Sequence, residues 1–353
     1  MSEAAEHSLQ TVERPVFVCT ISYTATSEIP GITVAGSNPD LVKYTPAADA
    51  EYLCYGKCRC IPGVPATPDG KPTPAVITRA ALHIADIPFF IVDAGSKIKP
   101  DVPYISLGLE PGKNIAEGDA MSRAQAQDAF DKGRVLGEQL AGCGDMLVLG
   151  ESIPGGTTTA LAVLSGLGID ARFRMSSSMP SNPHEIKNAI LERAIARRVN
   201  HEGLGSPLDI VAAFGDPMIA SVAGIATGAL TASDSVLLAG GTQMAAVLGV
   251  LKRSIVPLSR LYVGTTVYVA DDPKADLAGL VDSAGPAPVL SCDLHLPESG
   301  KAGLRAYGDG FVKEGAGAGG ASIAAMLKKK SLSGHDIRRA AETEYEDHIE
   351  AAL

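Results

Sequence analysis

At 353 residues with 46% apolar side chains, the chain can bury one large α/β domain with an appendage, or two small domains. Its 30 Lys and Arg stand against 40 Asp and Glu, a net charge of −10, which argues against nucleic acid or an anionic membrane as a partner. A phosphate ligand must therefore be held by local backbone geometry and one or two bases, not by a basic field.

Met1 to Arg14 is polar and lacks the apolar core of a signal segment, so the expected compartment is the cytoplasm. Pro15 to Ile21 predicts a first buried strand, and Ile29 to Tyr44, rich in Gly, Pro, Asn and Thr, predicts a loop. Cys54, Cys58 and Cys60 form the one thiol cluster. No second Cys/His pair follows at ligand spacing, so reduced thiols are expected and no metal. The Pro- and Gly-dominated stretch 61–74 reads as an ordered surface excursion. Ala75 to Ala85 is a short helix, and Pro88 to Val92 an apolar strand ending in Asp93, of the kind buried on both faces of parallel sheets. From Met121 to Leu140, Ala126, Ala129, Phe130, Gly133, Leu136 and Leu140 recur at helical spacing.

Asp145 to Leu149 is the next strand, followed by Gly150-Glu151-Ser152-Ile153-Pro154-Gly155-Gly156-Thr157-Thr158-Thr159 and a helix to about Leu167. A strand turning through Gly and Thr into a helix presents unpaired N–H groups and a positive dipole end, an anion site. The blander reading is a turn capped by Thr157. Glu151, placed on the loop between strand and helix, favours a site. Gly156 stands where a P-loop has its Lys, so a single phosphate fits better than a triphosphate.

Ala171 to Met175 is a weaker strand. Asn182-Pro183-His184-Glu185 starts a helix, with Asn as cap and Pro at the first position, that carries Ile186, Ile190, Leu191, Ala194 and Ile195 to near Arg198. Lys187 in its second turn is by default a solvated lysine, with a phosphate contact as the alternative. Asp209 to Phe214 is read as a buried strand, followed by Gly215-Asp216-Pro217 and a small-residue helix, Ile219 to Leu230. Ser235 to Ala239 is a strand leading through Gly240-Gly241-Thr242-Gln243 into a helix to Leu251. The nearly uncharged stretch Pro217 to Leu251 is broken by Asp234 and repeated Gly, so no membrane span is expected. Leu261 to Val269 is a strand; Leu304 to Tyr307 and Phe311 to Val312 are strand pieces. They lead into the Gly-rich segment 313–320 and a helix to about Lys328, and Ser333 to Leu353 is a polar helix.

Strand, loop and helix recur at least five times without a hairpin signal, which predicts an α/β fold with a doubly wound, mostly parallel sheet. Sites in such sheets collect after the carboxyl ends of strands, where the Gly-rich loops 150–159, 214–217, 239–243 and 313–320 are expected to converge. Gly315, Gly317 and Gly320 satisfy a dinucleotide fingerprint, but only a helix and a charged tail follow, so a nicotinamide dinucleotide is not expected. The alternative there is Gly for close helix packing, with Glu314 at the mouth of the helix.

The segment Gly150 to Ala160 resembles the Gly-Glu-Met-Gly-Ile-Gly-Asn-Thr-Thr segment of nicotinate-nucleotide–dimethylbenzimidazole phosphoribosyltransferases. Pro207 to Val211 with Phe214-Gly215-Asp216, Ser235 to Gln243, and Glu314-Gly315-Ala316-Gly317-Ala318 resemble further motifs of that family, in order, from about residue 119 to 330. Ser-Ile-Pro-Gly-Gly replaces the family's Met-Gly-Ile-Gly-Asn, and its N-terminal base-pocket motif is not found in residues 1–118, so this is a divergent branch. The resemblance implies a homodimer with a Rossmann-like catalytic domain over 14–330 and a smaller helical part to which 1–13 and 331–353 contribute. It makes Glu314 the general base, with Glu151 the second catalytic candidate. It places the phosphate at Gly155, Gly156, Thr157, Thr158 and Lys187, and the nicotinate and ribose at Gly215, Asp216, Gly241, Thr242, Gln243 and Gly315.

The implied substrates are nicotinate mononucleotide and a benzimidazole-type base, with no cofactor or metal. Nicotinate leaves as a neutral ring, and an azole acceptor sheds one proton, so one carboxylate suffices. Two other readings are a nucleotide-monophosphate-binding regulator without turnover, which has no need of Glu314, and a dinucleotide oxidoreductase, which lacks its βαβ unit.

Overall fold

The run Pro15–Ile21 forms β1, the first of seven strands in the computed structural model, which describes residues 9–36, 38–197, 205–232, 234–252 and 257–350. The others are β2 (Phe89–Asp93), β3 (Ile105–Ser106), β4 (Met146–Ser152), β5 (Ser235–Ala239), β6 (Leu261–Thr266) and β7 (Val289–Cys292). They lie in the order β3-β2-β1-β4-β5-β6-β7, and every pairing is parallel. Parallel neighbours need long crossovers, and most of these are helical.

The longer helices are α1 (Thr45–Tyr55), α2 (Ala75–Ile84), α3 (Arg123–Leu140), α4 (Gly156–Gly166), α5 (His184–Ala196), α6 (Pro207–Phe214), α7 (Pro217–Thr231), α8 (Met244–Leu251), α9 (Leu277–Ala284), α10 (Ala318–Lys328) and α11 (Gly334–His348). Side chains alternate along a strand, so each strand feeds two cores. Phe17, Val148, Leu237 and Tyr262 are in register and pack with Tyr52, Ile77, Ala321 and Ile337 of α1, α2, α10 and α11. Val18, Leu149, Leu238 and Val263 face the opposite layer, with Ala129, Leu161, Ile190, Ile219, Val247 and Leu280 of α3, α4, α5, α7, α8 and α9. The doubly wound architecture is as expected, and the sheet is wholly parallel.

Several elements differ from the sequence reading. Asp209 to Phe214 is not a strand but most of α6. Ser206 accepts from the Asp209 N–H at 3.2 Å while Asp209 accepts from the Ser206 N–H at 2.8 Å, a reciprocal cap with Pro207 in the first turn. Ala171 to Met175 is turn rather than strand, and β6 stops at Thr266, where Val267–Ala270 makes one helical turn. Leu304 and Arg305 end the short helix Ala302–Arg305, Ala306 and Tyr307 are in the turn after it, and Phe311 to Val312 is a bend. Asn182 does not cap α5, which begins at His184 after Pro183; its side chain bonds Ser177, Lys313 and the 272–274 segment instead. Within the expected loop 29–44, Pro39–Tyr44 is a 3-10 helix, and Arg198, the expected end of α5, lies outside the described residues. The helices α1 and α9 and the strands β3 and β7 add to the elements expected.

The chain winds outward from β1 through β2 to β3, and from β4 through β5 and β6 to β7 in the other direction. The order therefore reverses between β1 and β4, whose last residues Ile21 and Ser152 pair. A crevice opens beyond strand ends at such a switch point, and it is the natural place for a ligand.

Candidate active site

The cavity lies at this switch point. Its wall includes Ile32–Gly36 after β1, Glu151–Thr157 at the end of β4, Ser176–Ser178, Gly241 and Gln243 after β5, and Val312–Ala316 before α10. Thr45, Asp49, the segments 65–67 and 71–74, and Val269 complete it.

The β4–α4 turn is built around Gly155, which caps α4 in the left-handed region at φ 75°. A Cβ there would also sit 3.0 Å from the Ser27 Cα, so Gly is required twice over. Gly155, not Thr157, is the N-cap, and Gly156, Thr157 and Thr158 form the first turn. The Thr158 N–H donates to the Gly155 carbonyl at 2.9 Å and the Gly156 N–H to the Ile153 carbonyl at 3.4 Å, so the N–H groups of Gly155 and Thr157 are the ones left to an anion. Thr157 lines the cavity; the buried Thr158 hydroxyl lies behind it and has no partner among the described residues.

Lys187 is not a solvated lysine. It is fully buried, and its Nζ donates to Thr157 Oγ1 and the Ser176 carbonyl, each at 2.8 Å. Burial, with the nearby charge of Lys313 second, lowers its pKa to about 7. The signal was present in the sequence: Lys187, Ile190, Leu191 and Ala194 share one face of α5, and all are buried, whereas Ile186 and Ile195 are exposed. Ser176 links this cation to the β5–α8 turn, because Thr242 Oγ1 accepts from its N–H at 3.1 Å. Thr242 is thus a buried brace, while Gly241 and Gln243 reach the cavity.

Glu314 faces the same cavity from the turn before α10. Its carboxylate accepts from the N–H groups of Gly319 at 3.1 Å, Gly315 at 3.2 Å and Thr266 at 3.1 Å, and from Thr265 Oγ1 at 3.3 Å. Burial raises its pKa to about 7 against the opposing pull of these bonds. The supporting loop is strained: Val312, Lys313 and Ala316 adopt φ of 62°, 56° and 47°, which L-residues rarely tolerate. Lys313 Nζ is tied to Asp272 at 2.7 Å and to Asn182 Oδ1 at 3.2 Å, both within the protein. The following glycines serve helix packing: a Cβ at Gly317 would lie 2.9 Å from the Gly150 Cα, and one at Gly320 2.2 Å from the Ala239 Cβ.

Glu151 lies within β4 rather than on the loop, because the strand continues to Ser152. It is buried at the cavity wall, and burial, followed by the charges of Asp216 and Glu314, pushes it well above the carboxylate range. Gly215 and Asp216 do not line the cavity; the loop 214–217 follows a helix, not a strand. Asp216 is fully buried, caps α7 through the Ile219 N–H at 3.0 Å, and accepts from Thr159 Oγ1 at 2.5 Å. Its influence on the site runs through its charge beside Glu151.

Residues 75–304 match the sequence profile of a phosphoribosyltransferase family. The chain belongs to the nicotinate-nucleotide–dimethylbenzimidazole phosphoribosyltransferase family. It is 48% identical over 315 residues to a UPF0284 protein of Archaeoglobus fulgidus, covering 89% of each chain. A UPF0284 protein of Methanothermobacter thermautotrophicus is 44% identical over 320 residues, covering 88% of each. The fold is similar to that of CobT from Thermus thermophilus, with a TM-score of 0.64 at 17% identity over 96% of this chain and 90% of that one.

Within this phosphoribosyltransferase, Gly155, Gly156, Thr157, Gly241, Gln243, Glu151, Glu314 and Gly315 share one cavity, with Lys187 directly behind Thr157. Asp49, Lys71, Thr73, Ser152, Ser176–Ser178 and Lys313 also line it and were not anticipated as site residues. Among the described residues no group of three or more His, Cys, Asp or Glu could hold a metal ion, and no helix is long and apolar enough to cross a membrane.

Proposed function

We propose that this enzyme transfers the ribosyl 5′-phosphate of nicotinate mononucleotide to an azole base, releasing nicotinate and forming the nucleotide of a cobamide lower ligand. The observation that carries the reading is a single cavity holding both an anion-binding helix start, backed by buried Lys187, and the Glu314 carboxyl poised near neutrality. The phosphate binds the N–H groups of Gly155 and Thr157, and the Lys187 charge reaches it through the Thr157 hydroxyl. Gly241 and Gln243 flank the nicotinate.

The C1′–pyridinium bond breaks with its electron pair going to the ring nitrogen, so nicotinate departs without acid assistance. One azole nitrogen bonds C1′ while the other loses its proton to Glu314, which is ionised above about pH 7. Glu151, whose charged form is disfavoured by burial and by the charges of Asp216 and Glu314, stands on the same wall at the end of β4. Remote binding of the phosphate orients C1′ for the attack.

The test is to incubate the protein with nicotinate mononucleotide and a panel of benzimidazoles and purines. Nicotinate release that requires the base, with a matching ribosylated product, is expected. Release without any acceptor, or none with any of them, contradicts the reading.

A further inference from the structure

The transferase reading, on which this inference rests, leaves the acceptor base open. A base whose proton passes to Glu314 must lie beside Gly315, and Gly315 packs on Pro74, whose Cγ would be 3.0 Å from a Cβ added there. The wall next to that ring is therefore the Thr73–Pro74 segment, and Asp49 of α1 stands against it.

Asp49 is 4% exposed and accepts two hydroxyl protons. Thr73 Oγ1 donates to its Oδ1 at 2.7 Å and Ser152 Oγ to its Oδ2 at 2.6 Å. All three residues line the cavity. A hydroxyl has one proton to give, and the carboxylate takes it in both cases. What the three groups present to a ligand is lone pairs. Thr45, on the same wall, has a buried hydroxyl with no partner among the described residues. Lys71 brings a cation to this wall, but its ammonium is paired with Asp69 and lies 3.8 Å from the centre of the Phe311 ring.

We propose that Asp49, with Thr73 and Ser152, selects the acceptor, and that the acceptor is an azole or purine carrying an N–H or O–H donor on its edge. A base edged only with alkyl groups would leave the free lone pairs of Asp49 and Ser152 without a donor; Thr73 Oγ1 already accepts from the Ala75 N–H at 3.2 Å and has one further lone pair to offer. Sites built to hydrogen-bond a substrate group reject analogues lacking it far more strongly than sites that measure a methyl group.

The experiment measures equilibrium binding of 5-hydroxybenzimidazole, 6-aminopurine and 5,6-dimethylbenzimidazole to the full chain by calorimetry, and nicotinate release with each. The donor-bearing bases should bind about 10²-fold more tightly than the dimethyl one. In Asp49→Asn the amide donates to one hydroxyl, freeing that hydroxyl to donate into the cavity, and the ratio should fall at least tenfold. Both affinities come from one preparation, so loss of folded protein cancels. Thr73→Val, which removes one acceptor, supplies the same comparison should Asp49→Asn not fold. Equal or tighter binding of the dimethyl base, an unchanged ratio in the variant that folds, or no binding of any base overturns the proposal. Donor-selective binding without nicotinate release would leave it standing and contradict the transferase reading.

Discussion

At the α4 end of the cavity Lys187 is buried; the rest of the wall carries carboxyls, Asp49 buried and Glu314 half-buried. Burial acts on both ends in the same way, against the charged form, and so moves their pKa values in opposite directions: Lys187 down to about 7, Glu314 up to about 7, Asp49 up to about 6. The ends differ in what they lack. Lys187 has only neutral oxygens around its Nζ, from Thr157 and Ser176, so its charge is uncompensated until an anion arrives. Glu314 is already surrounded by N–H donors and needs only a proton source. One end is thus suited to hold a phosphate and the other to take a proton.

The largest expected effect comes from removing the proton acceptor. Glu314→Gln keeps the size of the side chain but cannot take the azole proton, so turnover should drop by about 10² or more, roughly 2.7 kcal/mol of barrier. Affinity for nicotinate mononucleotide should stay within about threefold, because the anchor lies at the other end; turnover within threefold of the parent would instead shift the base to Glu151.

Lys187→Met reverses that pattern. It removes one charge-assisted contribution to phosphate binding, so the mononucleotide Kd should rise by about 10- to 100-fold, with a smaller change in kcat. The same variant has a stability signature. The folded pKa of Lys187 is depressed to about 7 from 10.5, so between these values the unfolded chain holds a proton that the folded chain has released. Wild-type stability should therefore gain from this group as pH rises from about 7 to about 10, and denaturant titrations of Lys187→Met should show a flatter rise.

A smaller effect is expected at Asp216. Its folded pKa is raised from 3.8 to about 6, so the folded chain holds a proton that the unfolded chain has lost across that window. The resulting penalty grows as pH rises through the window and is complete above about 6. Asp216→Asn retains an acceptor for the Ile219 N–H and should stabilise the protein at pH 7 by on the order of 1 kcal/mol, with the gain vanishing near pH 4. Equal stability of parent and variant at both pH values would mean that Asp216 is not a buried charge.

The two ends were also unequally legible in the sequence. The α4 end is almost contiguous: strand, Gly155-Gly156-Thr157 and helix read directly as an anion site, and Glu314 stands out as a carboxylate before its glycines. The Asp49 wall is assembled from residues 49, 73 and 152, which only the fold brings together, and no local spacing announces it. Its own turn makes Lys187 by default a solvated lysine, while the family resemblance sets it near the phosphate; its register with Ile190, Leu191 and Ala194 places it inside. Recurring apolar runs predict the sheet, and that signal fails where a run is short. Ile210 to Phe214 is uniformly apolar and of strand length, and only the Ser206–Asp209 cap distinguishes it as helix. The edge strands β3 and β7, of two and four residues, are too brief and too exposed to show a pattern.

The most direct test of the account is a crystal of the protein soaked in nicotinate mononucleotide. The account predicts the phosphate within about 3.5 Å of backbone N–H groups of Gly155 to Thr158, with C1′ between it and Glu314. A well-defined mononucleotide whose phosphate lies more than about 5 Å from that turn would contradict it.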